Sequence, residues 1–284
     1  MKDYFGYRNK IAVVTGSASG MGRAIVEMLV DLGAEVYALD WTEVSVSGIK
    51  SYIPTDLSNK ASIDSAFEEI PAKIDKFFGC AGVSGQRHDY TTTMSINFIA
   101  NKYITEEYLL DRMSVEGAIA YITSAGGLRW EKPDNIAEFI SIVEAVGWNA
   151  CIADIEDSGR KNQEGRFGYA MSKRALNYYV AYILPRFAEK KIRVNAILPG
   201  ATKSGLTDDF AINTGGVENL IKFTGFAQRL AEAKEMGEPM IFLNSDMASY
   251  ISGVLMDVDF GMNIRMVAGL ATDIYGRRVP AKEV

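Results

Sequence analysis

A short β-branched run, Ile11-Ala-Val-Val-Thr15, passes directly into Thr15-Gly-Ser-Ala-Ser-Gly-Met-Gly22 and then into a stretch with apolar residues at Ile25, Met28, Leu29 and Leu32. An apolar run without polar alternation is the pattern of a strand buried on both faces, as in a parallel sheet. The spacing that follows is helical, and Gly33 supplies the residue type that ends a helix in the left-handed conformation. Glycines at 16, 20 and 22 permit the tight turn between strand and helix and let the two pack closely.

Strand-like and helix-like patterns keep alternating. Further strands read at Glu35–Leu39 ending on Asp40, at Tyr52-Ile53, at Ile74–Cys80, at Ala118–Thr123 and at Ile192–Leu198, the last stopped by Pro199-Gly200. Tyr169–Ala188 is a long helical pattern, with Pro185 placed to bend it near its end. This alternation predicts an α/β, doubly wound parallel β-sheet with helices on both faces, Rossmann-like in plan. The 284 residues, nearly half apolar, show no internal repeat, low-complexity tract or Pro/Gly-rich linker, so one domain over 1–284 is expected. Two segments read as additions to the sheet: an insertion at about 129–166, holding Trp130 and Trp148, and a loop at about 200–233. Both follow strands at the end where α/β proteins bind ligands.

Composition removes several function classes. A net charge of −6 argues against a phosphate-backbone partner, so no nucleic acid is expected. No apolar stretch approaches the ~20 residues that span a bilayer, and Met1–Lys10 lacks an apolar signal region; no membrane partner and a cytoplasmic location are expected. Cys80 and Cys151 have neither metal-site nor disulfide spacing and read as reduced thiols. The single histidine, His88, has no carboxylate cluster to build a zinc site with, so no metal is expected.

The glycine turn opens onto a helix N-terminus, whose free N–H groups and dipole favour phosphates; between a buried strand and an amphipathic helix it reads as a dinucleotide pyrophosphate site. Gly16, Ser19, Gly20, Met21 and Gly22 are its residues. Asp40 ends the second strand, where a carboxylate accepts hydrogen bonds from adenosine ribose hydroxyls and repels a 2′-phosphate; with no Arg or Lys beside it, this favours NAD over NADP. Trp41 offers a flat face near adenine. Asp56 can take the adenine amino group with Leu57 packed on the ring, although a turn-forming Asp needs no ligand. Cys80-Ala81-Gly82 closes the fourth strand with small residues, leaving room for a ribose.

Tyr169 and Lys173 are one helical turn apart on one face. A phenol of free pKa about 10 is a poor base at neutral pH, and a neighbouring ammonium favours its ionised form. The pair can then exchange a proton, although such a pair also arises by chance. Ser124, in Thr-Ser-Ala-Gly-Gly127 after a buried strand, can hydrogen-bond a substrate oxygen or be an ordinary turn serine; no histidine–carboxylate partner makes it a hydrolase nucleophile. Asn97 lies inside a helical stretch, where an amide either is satisfied locally or bends the helix and holds a water near Lys173.

In order along the chain, these motifs resemble the short-chain dehydrogenase/reductase family: Thr-Gly-Ser-Ala-Ser-Gly-Met-Gly22, Cys-Ala-Gly82, Asn97, Ser124, Tyr-Ala-Met-Ser-Lys173 and Pro199-Gly200. The resemblance implies an NAD-dependent alcohol dehydrogenase or carbonyl reductase. It implies that Tyr169 is the general acid/base, that Lys173 lowers its pKa and holds the nicotinamide ribose, that Ser124 orients the substrate oxygen, and that Asn97 supports a proton-relaying water chain. It further implies that Leu198 to Thr202 wall the nicotinamide, with Thr202 on the carboxamide, and that the chain forms a homodimer or homotetramer.

Lys73-Ile-Asp-Lys-Phe-Phe-Gly-Cys-Ala-Gly-Val83 and the long segment between Ser124 and Tyr169 are similar to a subgroup containing 3α-hydroxysteroid dehydrogenase/carbonyl reductase and coniferyl-alcohol dehydrogenase. That implies a hydroxysteroid-like or aryl alcohol substrate. The apolar residues Trp130, Phe139, Ile140, Ile142, Val143, Val146 and Trp148 read as an amphipathic helix, covering a flat substrate or buried against a second subunit. Cys80 and Phe260 stand where the family often has Asn and Gly. The tail after Met262, with Met266, Leu270 and Tyr275, can close over an active site.

Overall fold

β-Branched and apolar runs become strands, and the computed structural model, describing residues 3–272, lays seven of them side by side. They are β1 (Ile11–Thr15), β2 (Glu35–Asp40), β3 (Ser51–Pro54), β4 (Ile74–Gly79), β5 (Met113–Ile122), β6 (Arg193–Pro199) and β7 (Leu255–Val258). The order across the sheet is β3-β2-β1-β4-β5-β6-β7 and every pairing is parallel. The chain works outward from β1 to β3, then returns to lay β4 on the other side of β1. That reversal leaves a crevice beyond the carboxyl ends of β1 and β4, where open α/β sheets bind ligands.

Helices cover both faces. On one lie α1 (Gly20–Asp31) and, later in the chain, a helix over Ala233–Asn244; Ile25, Val26, Leu29, Met236, Met240 and Leu243 are buried there against Ala12, Val14 and Val36. On the other lie α2 (Lys60–Glu69), a helical stretch from Tyr90 to Arg112, and a long helix over Gly165–Phe187, packed on Val13, Phe77, Ile119 and Tyr121. α1 ends as its sequence predicts: Gly33 takes φ +80°, and the N–H groups of Gly33 and Ala34 donate to the carbonyls of Val30 and Leu29.

The stretch Tyr90–Arg112 comprises α3 (Tyr90–Met94), a π-turn at Ser95–Ile99, α4 (Ala100–Ile104), a second π-turn at Thr105–Leu109, and α5 (Leu110–Arg112). Such turns insert an extra residue into the helical ladder and tend to mark functional positions. Asn97 sits in the first.

The insertion differs from the single helix its spacing suggests. It holds α6 (Pro133–Glu144) and α7 (Gly147–Asp157), separated where Ala145 takes ψ 133° and Gly147 φ +77°. Val146, counted on the apolar face, lies at that break and is 88% exposed. Phe139, Ile142, Val143, Trp148, Cys151 and Ile155 are buried in this chain's own core, while Trp130, counted on the same face, lines the crevice. Trp148 meets Tyr103 of α4 edge-on, and the buried Lys102 Nζ donates to the Ala145 carbonyl at 2.7 Å, which holds the break down on α4. α8 (Gly165–Phe187) then begins four residues ahead of Tyr169, with Pro185 inside its last turn.

Between β6 and β7 come α9 (Thr207–Thr214), α10 (Val217–Ile221) and α11 (Ala233–Asn244), and α12 (Met262–Val267) follows β7. Among the described residues no helix is long and apolar enough to cross a membrane. Tyr275 of the tail, and the pair Arg277-Arg278, lie outside the described residues.

Candidate active site

The crevice at the carboxyl ends of the strands is a cavity of about 1620 Å³. At one end is the glycine turn. Gly16 takes φ +68°, and a Cβ there would come 2.6 Å from the Ala81 Cα. A Cβ on Gly22 would come 2.0 Å from the Gly16 carbonyl oxygen. Each position therefore needs glycine, one for its conformation and both for the close approach of α1 to the loops after β1 and β4. Ser19 is the N-cap of α1, yet its side chain makes no capping bond, and no acidic residue occupies the first turn. The first amides of α1 thus lack a side-chain acceptor, and Ser19, Gly20 and Met21 line the cavity there. This is a fit for an anionic diphosphate at a helix N-terminus.

Asp40 and Trp41 line the same cavity at the end of β2. The Asp40 carboxylate is oriented by its neighbours: Oδ2 accepts from the Ala18 amide at 3.0 Å and Oδ1 from the Thr42 amide at 2.9 Å. Trp41 is 56% exposed, and its ring lies 6.3 Å from that of His88, which also faces the cavity. Asp56 takes the turn-forming alternative and does not line the cavity. Its Oδ1 accepts from the Ser58 amide and hydroxyl at 2.8 and 2.7 Å, so the carboxylate forms a turn, and Thr55 and Leu57 form the wall instead. Cys80, Ala81 and Gly82 line the floor, where burial pushes the Cys80 thiol pKa up, making it an inert wall. A Cβ on Gly82 would come 3.3 Å from Asn97 Oδ1 and 3.6 Å from Lys173 Nζ, so small residues here keep a space open beside the lysine.

Ser124, Tyr169 and Lys173 converge on the middle of the cavity. Burial pushes the Tyr169 phenol up to about 12, and the neighbouring Ser124 hydroxyl acts the other way. Ser124 Oγ also accepts from the Gly126 amide at 2.9 Å, which fixes its rotamer. Lys173 Nζ donates to the Ile122 carbonyl at 2.9 Å and lies 5.8 Å from the centre of the Tyr169 ring. Burial brings the Lys173 ammonium down to about 8. The expected depression of the phenol by the ammonium is therefore not what dominates here: loss of water around both groups outweighs it.

Asn97 stands behind this wall. Its Oδ1 accepts from the Val83 amide at 2.8 Å and its Nδ2 donates to the Val83 carbonyl at 3.0 Å. The amide side chain thus fastens the π-turn to the loop after β4, and Asn97 does not itself line the cavity. Leu198, Pro199, Gly200 and Thr202 do line it, with the Thr202 hydroxyl donating to the Gly200 carbonyl at 2.9 Å. Among the described residues no group of His, Cys, Asp and Glu could hold a metal ion.

The sequence marks 200–233 as a loop at the ligand-binding end but does not show α9 and its contacts within it. Phe210 meets the Tyr169 ring edge-on at 5.4 Å. The neighbouring Asp209 is buried and accepts from Ser84 Oγ at 2.5 Å while pairing with Arg87 at 3.2 Å. These contacts latch α9 to the loop after β4 across the cavity. Only a tertiary contact identifies them; no motif marks residues 84, 87, 209 and 210. Met266 of the tail and Val267 also line the cavity.

Two family models match the chain: one described as short chain dehydrogenase over residues 10–132, the other as Enoyl-(Acyl carrier protein) reductase over residues 152–263. The chain is 28% identical over 255 residues to coniferyl-alcohol dehydrogenase of Pseudomonas sp. (strain HR199 / DSM 7063), covering 89% of this chain and 96% of that protein. It is 27% identical over 261 residues to 3-alpha-hydroxysteroid dehydrogenase/carbonyl reductase of Comamonas testosteroni, covering 90% and 97%. Among solved structures, the 3-alpha-hydroxysteroid dehydrogenase from Pseudomonas sp. B-0831 complexed with NADH aligns with a TM-score of 0.74 at 24% identity, covering 91% of this chain and 99% of that one, a likeness of fold. With the glycine turn, the Ser124–Tyr169–Lys173 cluster and matches running nearly end to end, the chain belongs to the short-chain dehydrogenase/reductase family, oxidoreductases of alcohols and ketones that use a nicotinamide dinucleotide.

Proposed function

We propose that the protein is an NAD-dependent alcohol dehydrogenase or carbonyl reductase acting on an apolar cyclic alcohol or ketone such as a hydroxysteroid. The observation that carries this reading is one cavity lined by an uncapped helix N-terminus and by Ser124, Tyr169 and Lys173 together. When bound, the dinucleotide supplies or accepts the hydride. The chain supplies the proton and the geometry. Tyr169, protonated at neutral pH, donates its proton to the substrate oxygen in the reductive direction and recovers one from it in the oxidative direction. Ser124, held by the Gly126 amide, directs its hydroxyl at that oxygen and balances charge developing on it. Lys173 lies within reach of the space beside Gly82, where a ribose would sit.

Asp40 supports NAD over NADP, because its fixed carboxylate would face a 2′-phosphate. Leu128, Trp130, Phe167, Leu206, Phe210 and Leu220 give the substrate side of the cavity an apolar lining suited to a flat ring system. An aryl substrate of the coniferyl type is the second reading, favoured by the edge of Phe210 beside Tyr169 and by the likeness to the coniferyl-alcohol enzyme. Assembly as a homodimer or homotetramer belongs to the same proposal.

The test is to follow NADH absorbance while screening hydroxysteroids against aryl alcohols, with NADP in parallel. Tyr169→Phe is expected to lower turnover by roughly 10²- to 10⁴-fold while NADH binding persists. Wild-type turnover in that variant would remove Tyr169 from its role. NADH binding without oxidation of any alcohol tested would instead indicate a nucleotide-binding sensor.

A further inference from the structure

Beyond Ser124 the cavity is lined by the loop 128–132, which leads into α6, and by Ala170 and Arg174 of α8. Arg129 and Arg174 both line this extension. The Arg129 guanidinium has no ion pair or hydrogen bond among the described residues, and its backbone holds φ +63°, an uncommon conformation for a non-glycine residue. Arg174 donates through Nη1 to Asn135 Oδ1 at 3.2 Å, while its Nε is buried without a partner. Asn135 in turn donates through Nδ2 to the Arg129 carbonyl at 2.5 Å, so one amide ties the Arg174 side chain and the Arg129 backbone to α6. Burial lowers the Arg174 pKa most; the Glu138 carboxylate opposes it, and Arg129 adds a smaller repulsion.

Other charged groups face this region. Glu131 and Lys132 line it, both exposed, and Arg166 lines it while paired with Glu164. The N-terminus of the twelve-residue α6 has no side-chain cap from Lys132. Two guanidinium groups line this part of the cavity, one without an ion pair or hydrogen bond and one with a buried free donor, and among the described residues they are incompletely satisfied. Planar forked donors match a carboxylate.

We infer that Arg129 and Arg174 form an anion-binding subsite, and that the substrate carries a carboxylate remote from the carbon that exchanges hydride. The inference rests on the dehydrogenase reading for the reaction but not for the binding. It adds a charged anchor to a substrate otherwise recognised by apolar contact, and so favours ring-bearing hydroxy or oxo acids over neutral alcohols.

The test uses a matched pair: a 3-hydroxysteroid with a side-chain carboxylate, and its methyl ester. For each, kcat/KM with NAD and affinity for the NADH-loaded protein by calorimetry are measured in the wild type, Arg129→Gln, Arg174→Gln and Arg174→Lys. The wild type is expected to favour the acid by roughly 10- to 100-fold, the range of a hydrogen-bonded charge pair. In each Gln variant the acid-to-ester ratio falls toward one, and Arg174→Lys keeps an intermediate ratio. Because the ratio is internal to each protein, a partly destabilised variant still reports it. If neither compound is oxidised but the acid binds more tightly than the ester, with that preference lost in the Gln variants, the subsite stands and the hydroxysteroid reading falls. Equal handling of acid and ester by the wild type, or an acid preference that survives both Gln substitutions, overturns the inference.

Discussion

Lys173 illustrates how one buried side chain sets function against stability. Its spacing from Tyr169 was legible as a helical i,i+4 pair, but the balance of forces on it was not, because that depends on how much water the folded chain removes. Burial brings its ammonium down to about 8 from the ordinary 10.5. The folded state therefore disfavours the charged form, while the unfolded chain keeps it protonated to higher pH. Below pH 8 the full penalty applies; it shrinks as pH rises toward 10.5, where both states are neutral. Lys173→Met removes the penalty and loses the bond to the Ile122 carbonyl, worth about 1 kcal/mol. A shift of this size corresponds to about 3 kcal/mol at most. The variant should thus melt a few degrees higher than the wild type at pH 7, with the gain fading between pH 8 and 10, while catalysis is lost. Thermal melts across that range check it, and a variant less stable at pH 7 would show that the ammonium is supported, not strained, in the fold. Asn97 and Asp56 make the complementary point. Both were visible as polar residues with a choice of partners, and in the fold each makes local bonds, Asn97 to Val83 and Asp56 to Ser58.

At the scale of elements, the sequence was most legible where a strand is buried on both faces. β1 and β2 carry uninterrupted apolar runs and appear where those runs predict them. β7 was not read, since Leu255-Met-Asp-Val258 is a short, partly exposed edge strand with a carboxylate in its middle. The insertion was legible as apolar helix but not as two helices, because a positive-φ glycine inside an apolar pattern gives no warning of the break it makes. Where that apolar face goes separates three physical roles. Phe139 is fully buried and meets Tyr178 of α8 edge-on at 5.6 Å. Phe139→Ala is therefore expected to cost about 3–5 kcal/mol, measured by urea denaturation at low and high protein concentration. A cost independent of concentration places the insertion in the core of its own chain. A small effect on the isolated chain, with a concentration-dependent midpoint, would return it to a subunit interface.

For the whole molecule, the parallel alternation of strands and helices implied the sheet, and the sheet order determines where ligands go. Returning β4 to the side of β1 opens the crevice, and every expected nucleotide-binding position except Asp56 falls on its wall. Less legible was the far side of that crevice, because Ser84, Arg87, Asp209 and Phe210 are brought together from distant segments by folding alone. A ligand filling this crevice joins the loops after β1, β2, β4 and β6, so binding should be read by the stability of the entire fold. At a concentration of NADH 100 times its dissociation constant, mass action adds about 2.7 kcal/mol, or a rise in Tm of roughly 4–5 °C for a chain of this size. NADPH at the same concentration should give a smaller rise, since its 2′-phosphate meets the Asp40 carboxylate held by the Ala18 and Thr42 amides. Asp40→Asn removes the charge and keeps an acceptor oxygen, so it should narrow the gap between the two cofactors. Equal shifts in the wild type, or a larger one with NADPH, would mean that the exposed rim of Trp41 and His88 governs that end of the site and that the carboxylate does not face the ribose.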